Sequence, residues 1–413
     1  MGVYIAPVVD IEAAGIIVSP KAQLRISHRP VDILVALLGI AGVVVGVFEM
    51  RQRASSAPAE STLHIVDYLG SSPLRVAAGQ TAVRIPYSHD DLQRIAKKLV
   101  AAAAADKPSP SALLHTSRLA PLVGSAVTAW MERDFAERVT CLRLQDVFQD
   151  TWRGLETRQS QDGERIEHRD QLLSTLADFG VALTCKLECG SATSADAART
   201  RTVRDLLRTS IDEFHLHQAE MSWTVMAYVL YLPPQLYWRN RYGEQFDFDD
   251  VAEALITKPL KSESCGGTHL MCAATTMLRI DADERLLQPA VRERLRDYVA
   301  LRVQEAEKSQ LSDGSWPLMW SRDSGEGPVP ATAMASIRQR LMITGHLLEW
   351  FDLLPAEIQP ADSTVRAALL WIVPTLQSLT PEELAAELCP CTHALLAASR
   401  AAPHISGEAS ASP

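Results

Sequence analysis

The chain has little that would let it handle nucleic acid. Its 413 residues carry 40 Lys and Arg against 50 Asp and Glu, a net charge of −10. No basic stripe stands ready to neutralise phosphates. It also lacks a glycine-rich phosphate loop of the nucleotide or dinucleotide type, a Gly-x-Ser-x-Gly elbow and a His-Glu-x-x-His helix. Those absences remove the usual sequence signatures of nucleotide, serine-hydrolase and metalloprotease sites. Strand patterns are scarce beyond residues 63–88, where LHIVDYL and LRVAAGQTAVRIPY surround Gly70 and Gly79. The seven cysteines are an odd number, so they cannot all pair within the chain.

Long apolar runs are missing except near the N-terminus. Ile33 to Phe48 is uncharged, with Asp32 and Glu49 at its ends and Arg29, Arg51 and Arg53 just outside. Spanning a bilayer takes about 20 residues, with a lower limit of roughly 17. The run is read as a single transmembrane helix over 30–50, after an N-terminal segment 1–29 and before a linker at 51–62. Two other readings stand beside it. One is a long signal peptide cleaved near Ala57-Pro58-Ala59; the other is a buried core helix. Three cationic residues before the run against two after it place the main domain outside the cytoplasm.

From Ser88 onward the pattern is helical. Ser88-His89-Asp90-Asp91 caps a helix that KPSPS breaks at 107–111. Further helices are predicted near 112–138, 142–158, 165–180, 197–231, 249–258, 268–280, 286–310, 332–353, 362–378 and 381–399, before a disordered tail at 403–413. So many helices with short polar connectors imply an all-α domain over 63–402. Antiparallel hairpins arranged as a ring, an α/α toroid, accommodate them. In such a ring successive inner helices point the same way, and conspicuous motifs at their starts gather at one mouth.

Those motifs carry the polar residues. His217 and Glu220 lie in HQAEMSW, His346 and Glu349 in TGHLLEWF, and His269 ends CGGTH. On a helix, residues i and i+3 share a face, so each His-x-x-Glu aims an imidazole and a carboxylate at one point. Three readings remain open for the five residues. His217, His269 and His346 with a carboxylate suit a divalent metal such as zinc. A carboxylate beside an imidazole also suits metal-free acid–base catalysis. Either could equally be structural capping. Trp223, Trp238, Trp316, Trp320 and Trp350 are candidate stacking walls for a sugar or an isoprenoid, or else core ties.

Cys185-x3-Cys189 and Cys389-x-Cys391, with His393 two further on, could together hold zinc, form disulfides, or stay free. His168 and Asp281 read as parts of solvated connections. Asp247-Phe248-Asp249-Asp250 directly precedes a predicted helix, where acids serve as caps.

Gln310-Leu311-Ser312-Asp313-Gly314-Ser315-Trp316 resembles the Q-W repeat of squalene cyclases and related prenyltransferase-type α/α toroids. HxxExxW, YLPPQLYW, CGGTH and TGHLLEW between about 215 and 354 look like an uncharacterised bacterial group carrying that repeat. The resemblance implies the toroid fold, with Gln and Trp tying helix ends together. Through the repeat it also implies terpenoid-cyclase or prenyltransferase-like ancestry; Asp247–Asp250 matches the D-x-D-D of class II cyclases, but its place before a helix favours the cap over a proton donor. It fixes no chemistry, because the same fold hosts cyclases, glycan lyases and binding scaffolds. The expectation is therefore a membrane-anchored enzyme with a His/Glu-lined funnel. The alternatives are a glycan lyase or hydrolase of the cell envelope and a non-catalytic scaffold.

Overall fold

The computed structural model describes residues 10–12, 15–17, 86–103, 115–116, 118–123, 148–151, 154–157, 168–189, 199–234, 237–321 and 336–401. Two units divide the chain, Met1–Pro58 and Ala59–Pro413. In the first, β1 (Asp10–Glu12) pairs antiparallel with β2 (Gly15–Ile17). No described helix is long and apolar enough to cross a membrane. The expected anchor at 30–50, the linker, most of 63–88 and the tail lie outside the described residues.

The second unit is mostly helical, in agreement with the all-α expectation. Its helices are α1 (His89–Ala103), α2 (Ala120–Val123), α3 (Gln171–Asp178), α4 (Val203–Asp212), α5 (Met221–Tyr231), α6 (Phe248–Thr257), α7 (Thr268–Glu284), α8 (Pro289–Ser309), α9 (Ile337–Leu353), α10 (Asp362–Ser378), α11 (Pro381–Ala386) and α12 (Leu388–Ala401). Short antiparallel ribbons interrupt them: β3 (Phe148–Thr151) with β4 (Gly154–Thr157), β5 (Lys186–Cys189) with β6 (Arg199–Thr202), and β7 (Trp238–Arg239) with β8 (Gln245–Phe246).

Local chemistry sets the helix starts. Ser88 and Asp91, Thr202 and Asp205, Asp247 and Asp250, Ser336 and Gln339, and Thr380 and Glu383 form capping boxes. Each satisfies two backbone N–H groups at a helix end. The D-x-D-D acids are thereby accounted for. Asp247 and Asp250 make the box, and Asp249 accepts the backbone N–H of Gln288 at 2.9 Å.

Two sequence expectations need correction. Within 142–158 the described residues 148–151 and 154–157 form the β3–β4 ribbon rather than a helix, with Phe148 opposite Thr157 and Thr151 opposite Gly154. The single helix expected over 197–231 is three elements. The Thr202 box starts α4 at Val203, and Glu220, in the left-handed region at φ 58, starts α5 at Met221. Glycine favours that region, so a glutamate there marks a forced turn.

Packing runs in sequence order. Helix α3 packs on α5, α5 on α7, α7 on α9, and α9 on α12, which also meets α1. Helix α8 lies against α6 and α7, and α10 against α9 and α12. The Gln310–Trp316 segment ties these layers. The Gln310 amide donates to the carbonyls of Gly314 (2.9 Å) and Thr364 (2.8 Å), and Trp316 Nε1 donates to Ala306 O at 2.7 Å. Gly314 is obligatory here, since a Cβ would meet Ala367 O at 2.2 Å.

Candidate active site

One cavity of about 80 Å³ is bordered by side chains from α3, α5, α7, α9 and α12 together with Arg118. His269, His346, Glu349 and His393 form its polar side; Ser174, Thr175, Thr276 and Arg400 contribute elsewhere. A water needs roughly 10–15 Å³ by this measure, so the cavity admits a few waters or a small polar group.

The α9–α12 contact builds the centre. Gly345 lets the helices touch, because a Cβ there would stand 2.6 Å from Ala394 N. The next residues along, His346 and His393, stack with ring centroids 3.8 Å apart and planes tilted by 31°. One turn on, Glu349 Oε2 accepts the N–H of His393 Nδ1 at 2.5 Å. Arg118 Nη2 lies 3.6 Å from the other carboxylate oxygen. Burial opposes charge on both partners, yet each sustains the other. Glu349 is held well below the usual carboxylate range by His393 and Arg118, and Glu349 and Cys389 raise His393 to about 9.

Cys389 completes the group. His115, Cys389 and His393 bring ligand-type atoms within 4.8 Å of one another. Cys389 and His393 stand at i and i+4 on α12, so they share a face. Burial alone would raise the thiol, but hydrogen bonding and charge from His115 and His393 hold it down at about 5. Half-buried in this way, Cys389 occupies the electropositive, partly exposed setting in which cysteines react.

His269 faces the same cluster from the start of α7. His346 Nδ1 donates to Met342 O at 2.7 Å, so its Nε2 presents a lone pair. His269 Nε2 lies 3.0 Å from that atom. Burial and neighbouring imidazoles push both rings well below the usual histidine range, so both are neutral. Trp223 packs on His269 with centroids 4.5 Å apart. His168, expected in a solvated connection, instead stands 3.3 Å from Glu220 Oε1 and edge-on to His269. Glu220 also accepts the Ser264 hydroxyl. Burial pushes Glu220 up, but these two contacts outweigh it and its carboxyl sits low.

Of the five sequence-predicted residues, His269, His346 and Glu349 therefore meet, and Glu220 reaches them through His168. His217 does not join them. It is exposed in the turn before α5, and its spacing to Glu220 is not helical, so the first His-x-x-Glu has no shared face. Of the tryptophans, Trp223 borders the cavity. Trp238 is buried among Phe214, Tyr228, Phe246 and Phe248. Trp316 and Trp350 are also buried, with indole N–H groups bonded to Ala306 O and Thr275 Oγ1.

Sequence reasoning did not single out His115 or Arg118, placed His168 in a solvated connection, and met Cys389 and His393 only around the CPCTH cysteine pair. One signal was available: Cys389 and His393 have the same helical spacing logic as His-x-x-Glu. It was hidden by reading CPCTH as a cysteine pair. Cys391 is in fact buried in the core, and Cys185 joins no ligand-type cluster among the described residues. No family model, curated protein or solved structure matches the chain.

Proposed function

We propose that this chain is an α/α-toroid enzyme that forms a covalent intermediate on Cys389, with His393 as proton carrier and Glu349 as its orienting carboxylate. The observation that carries the reading is the 2.5 Å bond from His393 Nδ1 to Glu349, on an imidazole beside the Cys389 thiol. A nucleophile, a base and a third group that orients the base are the minimum for this chemistry. Five helices bordering one cavity in chain order support the ring. The resemblance to cyclase and prenyltransferase toroids supports the same fold. In this reading the helix expected at 30–50 holds the ring at a membrane.

The reaction class is acyl transfer. The Cys389 thiolate adds to a carbonyl carbon, and His393 passes its proton to the departing group as the carbon–heteroatom bond breaks. Water or another acceptor then attacks the thioester. His393 takes the acceptor's proton, and the thiolate leaves. The cavity lies on the His393 and Glu349 side of the relay, without Cys389 in its lining, and has room for a small polar group rather than a whole isoprenoid chain or glycan.

The test is incubation of the full chain with p-nitrophenyl acetate in the presence of a chelator, followed by peptide mass spectrometry. An acetyl thioester should form on Cys389 and be slower by about 10²–10⁴-fold in His393→Asn. Acetylation confined to other residues, or equal rates in wild type and variant, would sink the proposal.

A further inference from the structure

The turn that leads into α7 is built with unusual care for an ordinary helix start. Cys265 (φ 52), Gly266 (φ 63) and Gly267 (φ 80) are all left-handed. For a residue with a side chain this costs roughly 1–2 kcal/mol, so the surroundings must impose it. They do. Trp320 Nε1 donates to Gly266 O at 2.8 Å, and Thr268 Oγ1 donates to Cys265 O at 2.8 Å. A Cβ on Gly266 would meet Leu318 O at 2.9 Å, and one on Gly267 would meet Leu260 at 2.7 Å. The turn is thus wedged between α9, Leu260 and the segment after α8.

Its effect is to place the Cys265 thiol near His269 and His346. Their three ligand atoms lie within 4.8 Å of one another. His346 comes with its tautomer fixed by the Met342 carbonyl, the arrangement that orients histidine ligands. His269 can bind through Nε2 only with its ring proton on Nδ1, which is buried and has no hydrogen-bond acceptor among the described residues. Two nitrogens bound at about 2.0–2.1 Å around a tetrahedral ion stand roughly 3.3–3.4 Å apart. The observed Nε2 to Nε2 separation is 3.0 Å, so the two nitrogens need to part by only a few tenths of an ångström, while the thiol, within 4.8 Å of both, would close to roughly 3.5 Å from each.

We propose that Cys265 Sγ, His269 Nε2 and His346 Nε2 bind a zinc ion, leaving a fourth position open to the cavity. One thiolate and two imidazoles suit zinc over magnesium or calcium, which take oxygen ligands. Three protein ligands are the number that leaves room for water or substrate. The site uses none of Cys389, His393 or Glu349 as a ligand, although its His346 stacks on His393.

Cobalt(II) titration of the chelator-treated full chain tests it. One equivalent should produce thiolate-to-cobalt charge-transfer absorption. Cys265→Ser should abolish that band, whereas Cys389→Ser and Cys185→Ser should keep it. His346→Gln should weaken zinc, measured by chelator competition, by about tenfold or more. X-ray absorption of the zinc-loaded wild type should show one sulfur and at least two imidazole nitrogens, which covers the case of a variant that does not fold. Absence of stoichiometric binding, a sulfur-free coordination sphere, or a band lost in Cys389→Ser but kept in Cys265→Ser would each overturn the assignment. Acetylation of Cys389 in chelated protein reads the relay separately.

Discussion

Alkylation of Cys389 by iodoacetamide should have a pH profile unlike that of an ordinary thiol. The two neighbouring imidazoles bring the group from 9.0 to about 5. At pH 6 an ordinary thiol is about 0.1% ionised, whereas Cys389 is about 90% ionised, a gain of roughly 900-fold. A more acidic thiolate is also a poorer nucleophile. With a Brønsted slope of about 0.4–0.5, four units cost roughly 40–100-fold. The net expectation is reaction about 10–20-fold faster than a free thiol at pH 6, before any steric slowing. The shape is independent of access: the rate should be half-maximal near 5 and flat from pH 6 to 9. His393→Asn removes one of the two imidazoles and should move the midpoint up by about one to two units. The sign for stability follows. A thiol whose folded value is depressed contributes stability that is complete above pH 9 and lost as pH falls through about 5. Taken alone, that is a rise of about 1.4 kcal/mol per pH unit within the window. Peptide mapping of alkylated protein between pH 4 and 10 measures the profile. A midpoint above pH 8 would refute the imidazole cage.

Other perturbations probe the scaffold. Gly345→Ala puts a methyl carbon 2.6 Å from Ala394 N. Overpacking of about 1–3 kcal/mol should exceed the helix-propensity gain of about 1 kcal/mol. A melting temperature equal to wild type would mean the crossing is looser than described. Trp316→Ala should cost about 3–5 kcal/mol in urea denaturation, since it empties a buried site and frees the Ala306 carbonyl. A loss below 1 kcal/mol would show that the Gln310–Trp316 segment is not a tie. His217→Ala should shift stability by no more than about 0.5 kcal/mol, and Cys389 acetylation should proceed at the wild-type rate. A clear slowing would restore His217 to the site.

Periodic helices and their caps were readable in the sequence because they depend on neighbours within a few residues. Asp362–Ser378 and Phe248–Thr257 fall where their patterns place them. The 197–231 stretch was not readable, because the break at 213–220 rests on distant contacts. Asn240 Nδ2 donates to the Phe214 carbonyl, and Lys258 Nζ to that of Gln218. The site divides in the same way. His346 and Glu349 are one turn apart on one helix, so spacing alone joined them. His115 and His168 reach the cluster by tertiary folding, which no local pattern encodes. His217 failed for the converse reason: the spacing was present, but the helix that gives it meaning was not.

The glycine crossing also tells where relatives of this chain are to be found. Overall identity is a poor guide when most helices need only the right apolar period. The α9–α12 crossing is far less permissive. It asks for Gly-His-x-x-Glu on one helix and Cys-x-x-x-His on a later one, about forty residues on and with two α-helices between them here. The residue before the first histidine can carry no side chain, because the neighbouring backbone fills that space. That paired spacing, with a Cys-Gly-Gly-x-His upstream, is a short fingerprint that can sort genomes by site rather than by similarity. Chains that keep the histidines but replace the glycine would be expected to hold the two rings apart and so to lose the proposed relay geometry.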